Sequence, residues 1–210
     1  LHPVTRRQRQ MCIRDRFVDF SLHPHWSLST LFKGIPEPKN FQDGSENRFD
    51  RNASRAGANW EFLDALREKW NGNLIVKGIM DTDDASRVQN AGVDAIWVSN
   101  HGGRQLDSSP PALSALPKIR NAVGPNMPII FDSGARNGED VVKALALGAN
   151  FVMLGRPIMM ALAASSKKGL NDYISLLKDE IGVVMAQLGI NDLEKISGDV
   201  LYDGISKNIR

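Results

Sequence analysis

Residues 74–100 read LIVKGIMDTDDASRVQNAGVDAIWVSN, and this stretch decides the fold. Two short apolar runs, LIVKGI (74–79) and AIWVSN (95–100), flank a polar segment that suits a helix. Strands alternating with helices argue for a parallel sheet, because every parallel pair needs a crossover. Asp81, Thr82 and Asp83 can cap a helix through about Ala91, and Gly92 suits its C-terminal end. The alternation continues downstream. A helix is expected to restart near Pro117 and run through Val123, and PIIFD (128–132) reads as a strand. Asn137 caps a helix with Asp140 in its first turn, Gly148 ends it, and FVMLG (151–155) is the next strand. Pro157 then opens a helix where no N–H is needed.

The pattern repeats weakly. AGVDAIWV (91–98) aligns with LGANFVML (147–154) at an offset of 56, and LIVKG (74–78) with IIFDS (129–133) at an offset of 55. Each offset spans two strand–helix units, as in a (β/α)8 TIM barrel. A doubly wound open sheet is the alternative. Upstream, Trp60, Leu63, Leu66, Arg67 and Trp70 fit a helix closed by the Asn71-Gly72 turn. HPHWSLSTLF (23–32) reads as a short helix and residues 34–57 as a long loop. At the other end, Leu170, Tyr173, Ile174, Leu177, Ile181, Val184 and Leu188 stripe a long helix ended by Gly189, and the stripe reads as packing.

Composition narrows the function. Hydrophobic content of 42% and charge of 24% fit a globular protein with one core. The single cysteine, Cys12, permits no internal disulfide and fits a reducing compartment. Net charge is +2, but five arginines (Arg6, Arg7, Arg9, Arg14 and Arg16) crowd the first 16 residues against Asp15 alone. Without that stretch acidic residues outnumber basic ones, so the charge is no argument for a nucleic-acid partner. Residues 1–16 are read as foreign, adapter-like sequence, with an Arg-rich targeting peptide as the alternative. Residues 17–59 form a loop-rich connection and 60–210 the domain. No His/Cys/Asp spacing suggests a metal.

In parallel α/β proteins chemistry gathers at the C-terminal strand ends. Those ends offer Lys77, then Ser99 with His101 and Arg104, then Asp132 with Ser133, Gly134, Ala135 and Arg136, then Gly155 and Arg156. A lysine in a barrel strand must face charge or a polar ligand, unless it snorkels outward. His101 can take a proton near neutral pH and Arg104 can fork onto a carboxylate, with Gly102 and Gly103 letting the backbone turn both inward. Residues 132–136 with Gly155-Arg156 look like a phosphate cradle, since glycines allow close approach and two arginines can neutralise a dianion. Surface arginines are the plainer reading.

LIVKGI, VSNHGGRQLD, DSGAR and LGR, in this order and spacing, resemble the FMN-dependent α-hydroxy acid dehydrogenases, the family of L-lactate dehydrogenases, glycolate oxidases and mandelate dehydrogenases. The resemblance runs from about Trp60 to Ile196. It implies an FMN-linked TIM barrel, truncated here to about the last four βα units plus the C-terminal helix. It implies His101 as the base, Arg104 on the substrate carboxylate, Lys77 at the flavin N1–O2 edge and Ser99 hydrogen-bonded to the flavin. Asp132 would hold the ribityl chain, and residues 133–136 with Gly155 and Arg156 the phosphate. The family usually has Gly where this chain has Ser133.

The family pattern also places four strands, tyrosines and a His-orienting carboxylate ahead of this region, for which the chain is read as having no counterpart. The expected reaction is oxidation of a small L-2-hydroxy acid, L-lactate first, to the 2-oxo acid, with oxygen, a quinone or a cytochrome as electron acceptor. A homo-oligomer, located in the cytoplasm or peripherally at the inner face of the membrane, is expected. A half barrel would leave edges unpaired, so impaired activity is expected of this chain. The competing readings are another phosphate-binding barrel, of the IMP dehydrogenase or isomerase type, and a non-catalytic half-barrel remnant.

Overall fold

A computed structural model of the chain describes residues 18, 20–34 and 58–202. Two compact units are separated at Gly57–Ala58. In the first, helix α1 spans Pro24–Lys33, where a short helix is expected. The expected foreign segment 1–16 and nearly all of the 34–57 loop lie outside the described residues.

The second unit runs α2 (Trp60–Lys69), β1 (Ile75–Ile79), α3 (Thr82–Asn90), β2 (Ala95–Val98), α4 (Ala112–Val123), β3 (Ile129–Phe131), α5 (Gly138–Ala146), β4 (Phe151–Val152) and α6 (Arg156–Gln187). The four strands are all parallel and lie in the order β1-β2-β3-β4. A doubly wound sheet reverses its order at a switch point. This one does not, which is the order a barrel wall requires.

The helices begin where their caps dictate. The Asp81 carboxylate accepts from the Asp83 and Asp84 amides at 2.8 and 3.3 Å. Asn137 Oδ1 accepts from Asp140 N at 2.9 Å, and Asp140 Oδ2 accepts in return from Arg136 N at 3.0 Å. Gly92 and Gly189 follow their helices at positive φ, +76° and +70°, as a C-terminal turn requires. One expected start is wrong. Helix α4 begins at Ala112, and Pro117 lies inside it, buried. The Ala112, Ala115, Leu116 and Ile119 face is itself buried, and its packing outweighs the hydrogen bond that a mid-helix proline forgoes. Helix α6 breaks at Ser165–Ser166, and beyond the break Ile181, Val184 and Met185 pack on Val142 and Ala146 of α5.

Register sorts the strand residues into two faces. Ile96 and Val98 of β2 with Ile129 and Phe131 of β3 are buried, together with Val88, Leu116 and Ile119 of the helices. Lys77, Trp97, Ile130 and Phe151 sit side by side on the opposite face. That face is only partly covered among the described residues, so β1 alternates in exposure instead of being buried throughout, as LIVKGI suggests.

The internal repeat has a physical counterpart at the N-terminal strand ends. Arg120 donates to the carbonyls of Gly148 (2.9 Å), Gly124 (2.7 Å) and Met127 (2.7 Å) and to Asn150 Oδ1 (2.6 Å), and Asn150 Oδ1 also accepts from Ile129 N (2.8 Å). Arg67 does the same one repeat earlier. It reaches the carbonyls of Gly92 (3.3 Å), Gly72 (2.9 Å) and Trp70 and the Asp94 carboxylate (3.1 Å), which accepts from Leu74 N at 2.7 Å. Each arginine staples one helix end, the next helix end and the following strand.

Candidate active site

The four strand ends converge. An open cleft of about 960 Å³ is lined by His101, Arg104, Asp132, Ser133, Gly134, Ala135, Arg136, Gly155 and Arg156, nine of the eleven residues singled out in the sequence. Lys77 and Ser99 are outside the lining but contact it through Asp132 and Ser133.

Lys77 faces charge, as a lysine in that position must. Its Nζ lies 2.9 Å from Asp132 Oδ2, donates to Ser99 Oγ at 2.6 Å, and stands 4.7 Å from the centre of the Trp97 ring. Burial pushes the Asp132 carboxyl upward, but hydrogen bonds from Ser133 and Ser99 and the Lys77 ammonium outweigh it. Asp132 is therefore held below the ordinary carboxylate range and stays ionised. Ser99 is fully buried. Its hydroxyl oxygen takes Lys77 Nζ and the His101 amide (3.1 Å) and lies 3.3 Å from Ser133 Oγ.

The His101–Gly103 segment is a tight turn in which all three residues have positive φ (+57°, +66° and +75°). The glycines are there for that reason. His101 emerges from this turn toward β1. A Cβ on Gly78, itself at φ +99°, would stand 2.9 Å from His101 Cε1. Gly78 thus makes room for the imidazole, and the register shift between Lys77 and Ile79 falls at the same place. Sequence reasoning missed this residue. Its only signal is a glycine inside an apolar strand, which marks a bulge or a close approach. Arg104 closes the turn through its amide to the His101 carbonyl (3.4 Å), and its side chain is exposed on the cleft wall.

The other side of the cleft is open and lined by two arginines. Gly134 (φ +141°) and Gly155 have open space where a Cβ would stand. Arg136 and Arg156 line the same cleft, and α6 begins directly after Gly155. The turn is braced from behind: Tyr173 donates to the Arg136 carbonyl at 2.9 Å, and Glu180 accepts from Gly138 N at 2.8 Å. Burial, with the Glu180 and Asp140 carboxylates, pushes the Tyr173 hydroxyl up, so it remains a donor. Of the expected α6 stripe, Ile181 and Val184 pack on α5 while Ile174 and Leu188 are exposed, and the Tyr173 hydroxyl braces the Arg136 turn. Among the described residues no group of His, Cys, Asp and Glu could hold a metal ion.

A phosphate-bearing flavin fits these residues. The cradle has space and cationic walls at one end, and a carboxylate lies next along the cleft, with a lysine beside it. A model of the FMN-dependent dehydrogenase family matches residues 4–203. The chain belongs to this family. It is 39% identical to the (S)-mandelate dehydrogenase of Pseudomonas putida over 89% of this chain and 48% of that one. It is 38% identical to an L-lactate dehydrogenase of Acinetobacter baumannii over 92% and 53%. The crystal structure of the monotopic membrane protein (S)-mandelate dehydrogenase superposes with a TM-score of 0.77 at 38% identity, covering 89% of this chain and 51% of that one. A mandelate oxidase structure with an FMN adduct gives 0.62 at 41% identity, covering 65% and 44%. The fold is therefore that of FMN-dependent TIM-barrel dehydrogenases, and the chain spans about half the length of the curated relatives it matches.

Proposed function

We propose that this chain carries the base, the substrate-carboxylate clamp and the phosphate cradle of an enzyme that oxidises a small L-2-hydroxy acid to the 2-oxo acid. The observation that supports this reading best is one cleft lined by His101 and Arg104 on a positive-φ turn and by the 132–136 and 155–156 anion cradle. Arg104 would hold the substrate carboxylate, so that the hydroxyl-bearing carbon lies beside His101. The imidazole would take the hydroxyl proton as the carbon's hydrogen departs with the bonding electrons. FMN, when bound, supplies the acceptor for those two electrons. Lys77 would favour negative charge on the reduced ring, and Asp132 would orient the lysine and the ribityl chain. Ser99 would hold Lys77 and the His101 turn toward the flavin. Named relatives act on mandelate or on lactate. We favour L-lactate, with mandelate and glycolate as alternatives and oxygen, a quinone or a cytochrome as acceptor.

Fluorescence titration of the purified chain with FMN and with riboflavin tests the cradle. FMN is expected to bind at least tenfold more tightly than riboflavin, and replacing Arg136 and Arg156 by Ala should erase the difference. Equal affinity for the two flavins in the unaltered chain would overturn the reading.

Association with a membrane surface is a second proposal, favoured by helix α1. Trp26, Leu28, Leu31 and Phe32 are all exposed on a helix that ends in Lys33. Exposed aromatic and aliphatic side chains beside a cation suit the lipid–water interface. One relative is described as monotopic, and no described helix here is long and apolar enough to cross a membrane. Flotation with anionic vesicles should carry the chain upward, and Leu31→Asp with Phe32→Asp should leave it behind. Flotation unaffected by the double substitution would remove α1 from the interface.

A further inference from the structure

We infer that Ser133 is a positioning residue that ties the His101 turn to the Asp132 end of the cleft. The inference rests on the proposed flavin-site reading and adds to it a part that the family's usual glycine cannot play.

Ser133 sits at φ +77°, a region that favours glycine and strains a residue with a Cβ. Its counterpart in the internal repeat, 55 residues earlier, is Gly78 at φ +99°. The two positions follow Asp132 and Lys77, which are themselves paired. The backbone at 133 thus has the shape that a glycine adopts one repeat before, and a serine stands there against that preference.

Its hydroxyl accounts for the choice. It donates to Asp132 Oδ1 at 2.6 Å, accepts from Gly102 N at 3.1 Å, and lies 3.3 Å from Ser99 Oγ. With its own proton committed to Asp132 and its oxygen accepting from Gly102 N, the hydroxyl uses both its donor and an acceptor site. The Gly102 amide is shared with Asn100 Oδ1 at 3.0 Å, a contact within the same loop. The Ser133 contact is the one that leaves the loop and reaches the next strand end. On the other side of the same residue, Arg156 donates to the Gly102 carbonyl. Gly102 itself sits at φ +66°, a conformation that favours glycine, and a Cβ there would stand 2.8 Å from Arg156 Nη2, so a side chain would also displace that guanidinium. His101 itself is held by Ser99 through its amide. The backbone carrying the imidazole is therefore fixed from three strand ends, by Ser99 after β2, Ser133 after β3 and Arg156 after β4. A base fixed before substrate arrives loses less on reaching its working geometry.

The test uses the full 210-residue chain without ligand. Hydrogen–deuterium exchange of the peptide covering residues 99–104 is compared with thermal unfolding for Ser133→Gly and Ser133→Ala. Both variants should raise exchange at Gly102 at least tenfold. Ser133→Gly should melt no lower than the unaltered chain, because it relieves the positive φ, while Ser133→Ala should melt lower. Loosening at Gly102 without loss of global stability separates positioning from a general structural role. Gly102 exchange within twofold of the unaltered chain in Ser133→Gly, with the fold intact, would overturn the inference. The flavin titration described above is a separate arm. Failure to bind FMN with Gly102 still loosened would sink the flavin reading and leave the tether standing.

Discussion

Lys77 illustrates how single residues can be read in advance. An ammonium on the inward face of a barrel strand must meet a charge, and it meets Asp132. The pair gives a pH dependence with a definite sign. The Asp132 carboxyl is held below its ordinary value in the folded chain, so its contribution is fully present above the unfolded value, near 4. It is lost as pH falls from there through the folded value. Thermal stability should therefore show an Asp132-dependent fall that begins only below about pH 4, and Asp132→Asn should be less stable at neutral pH with that fall flattened. An equal acid-induced fall in both proteins would show that the carboxylate is not held by Lys77 and the two serines. His101, Arg104 and Asp132 are legible because each is a costly residue placed at the end of an apolar run, and Lys77 because it interrupts one. Gly78 was not, because an empty space between β1 and an imidazole from the next strand leaves no mark on sequence beyond a glycine. Ser133 reads from the sequence as part of the phosphate cradle and as a small departure from a family motif, not as a tether of the His101 turn. Its positive φ leaves no mark on the sequence, and its contacts with Gly102 and Ser99 depend on loops 31 and 34 residues apart meeting.

At the level of elements, caps and turn residues carried most of the prediction. Asp81, Asn137, Gly92 and Gly189 mark helix ends through local hydrogen bonds or a local backbone preference, and local rules apply to them. Pro117 failed as a start signal because burial of the α4 face acts over the whole helix and overrides a local preference. The arginine staples were invisible for a further reason. Arg120 joins nearby carbonyls to Gly148 and Asn150, which lie 28 and 30 residues on, and burial works against its charge. A staple at the N-terminal strand ends serves stability and not the cleft. Arg120→Ala should therefore cost about 3 kcal/mol in urea denaturation, because several carbonyls and Asn150 lose a charged donor together. Gly148 cannot be changed as a control, since a Cβ there would stand 2.7 Å from Arg120 Cγ. A loss below about 0.5 kcal/mol for Arg120→Ala would mean that water replaces the guanidinium at little cost.

For the whole molecule, the sequence pattern and the internal repeat pointed to barrel architecture, and the unreversed order β1-β2-β3-β4 agrees. The weak repeat is not only a record of pattern. It places Lys77 against Asp132 and Gly78 against Ser133, and Arg67 and Arg120 make matching contacts at the other end of the sheet although they lie 53 residues apart. The partly covered face of Lys77, Trp97, Ile130 and Phe151 could not be foreseen from apolar runs alone, because a run does not say which side will be packed. On that face Trp97 Nε1 is buried without a hydrogen-bond partner among the described residues. Since the chain spans about half of its relatives, its chemistry is best tested within a complete barrel.

The direct test is a chimera in which residues 58–202 replace the matching segment of the Pseudomonas putida (S)-mandelate dehydrogenase. Bleaching of its bound flavin by L-lactate without oxygen is then followed by stopped flow. The account predicts bleaching that slows at least about 100-fold in His101→Asn while FMN remains bound. Bleaching at an unchanged rate in His101→Asn would contradict it, because the proton would then be leaving by a route that does not involve the imidazole.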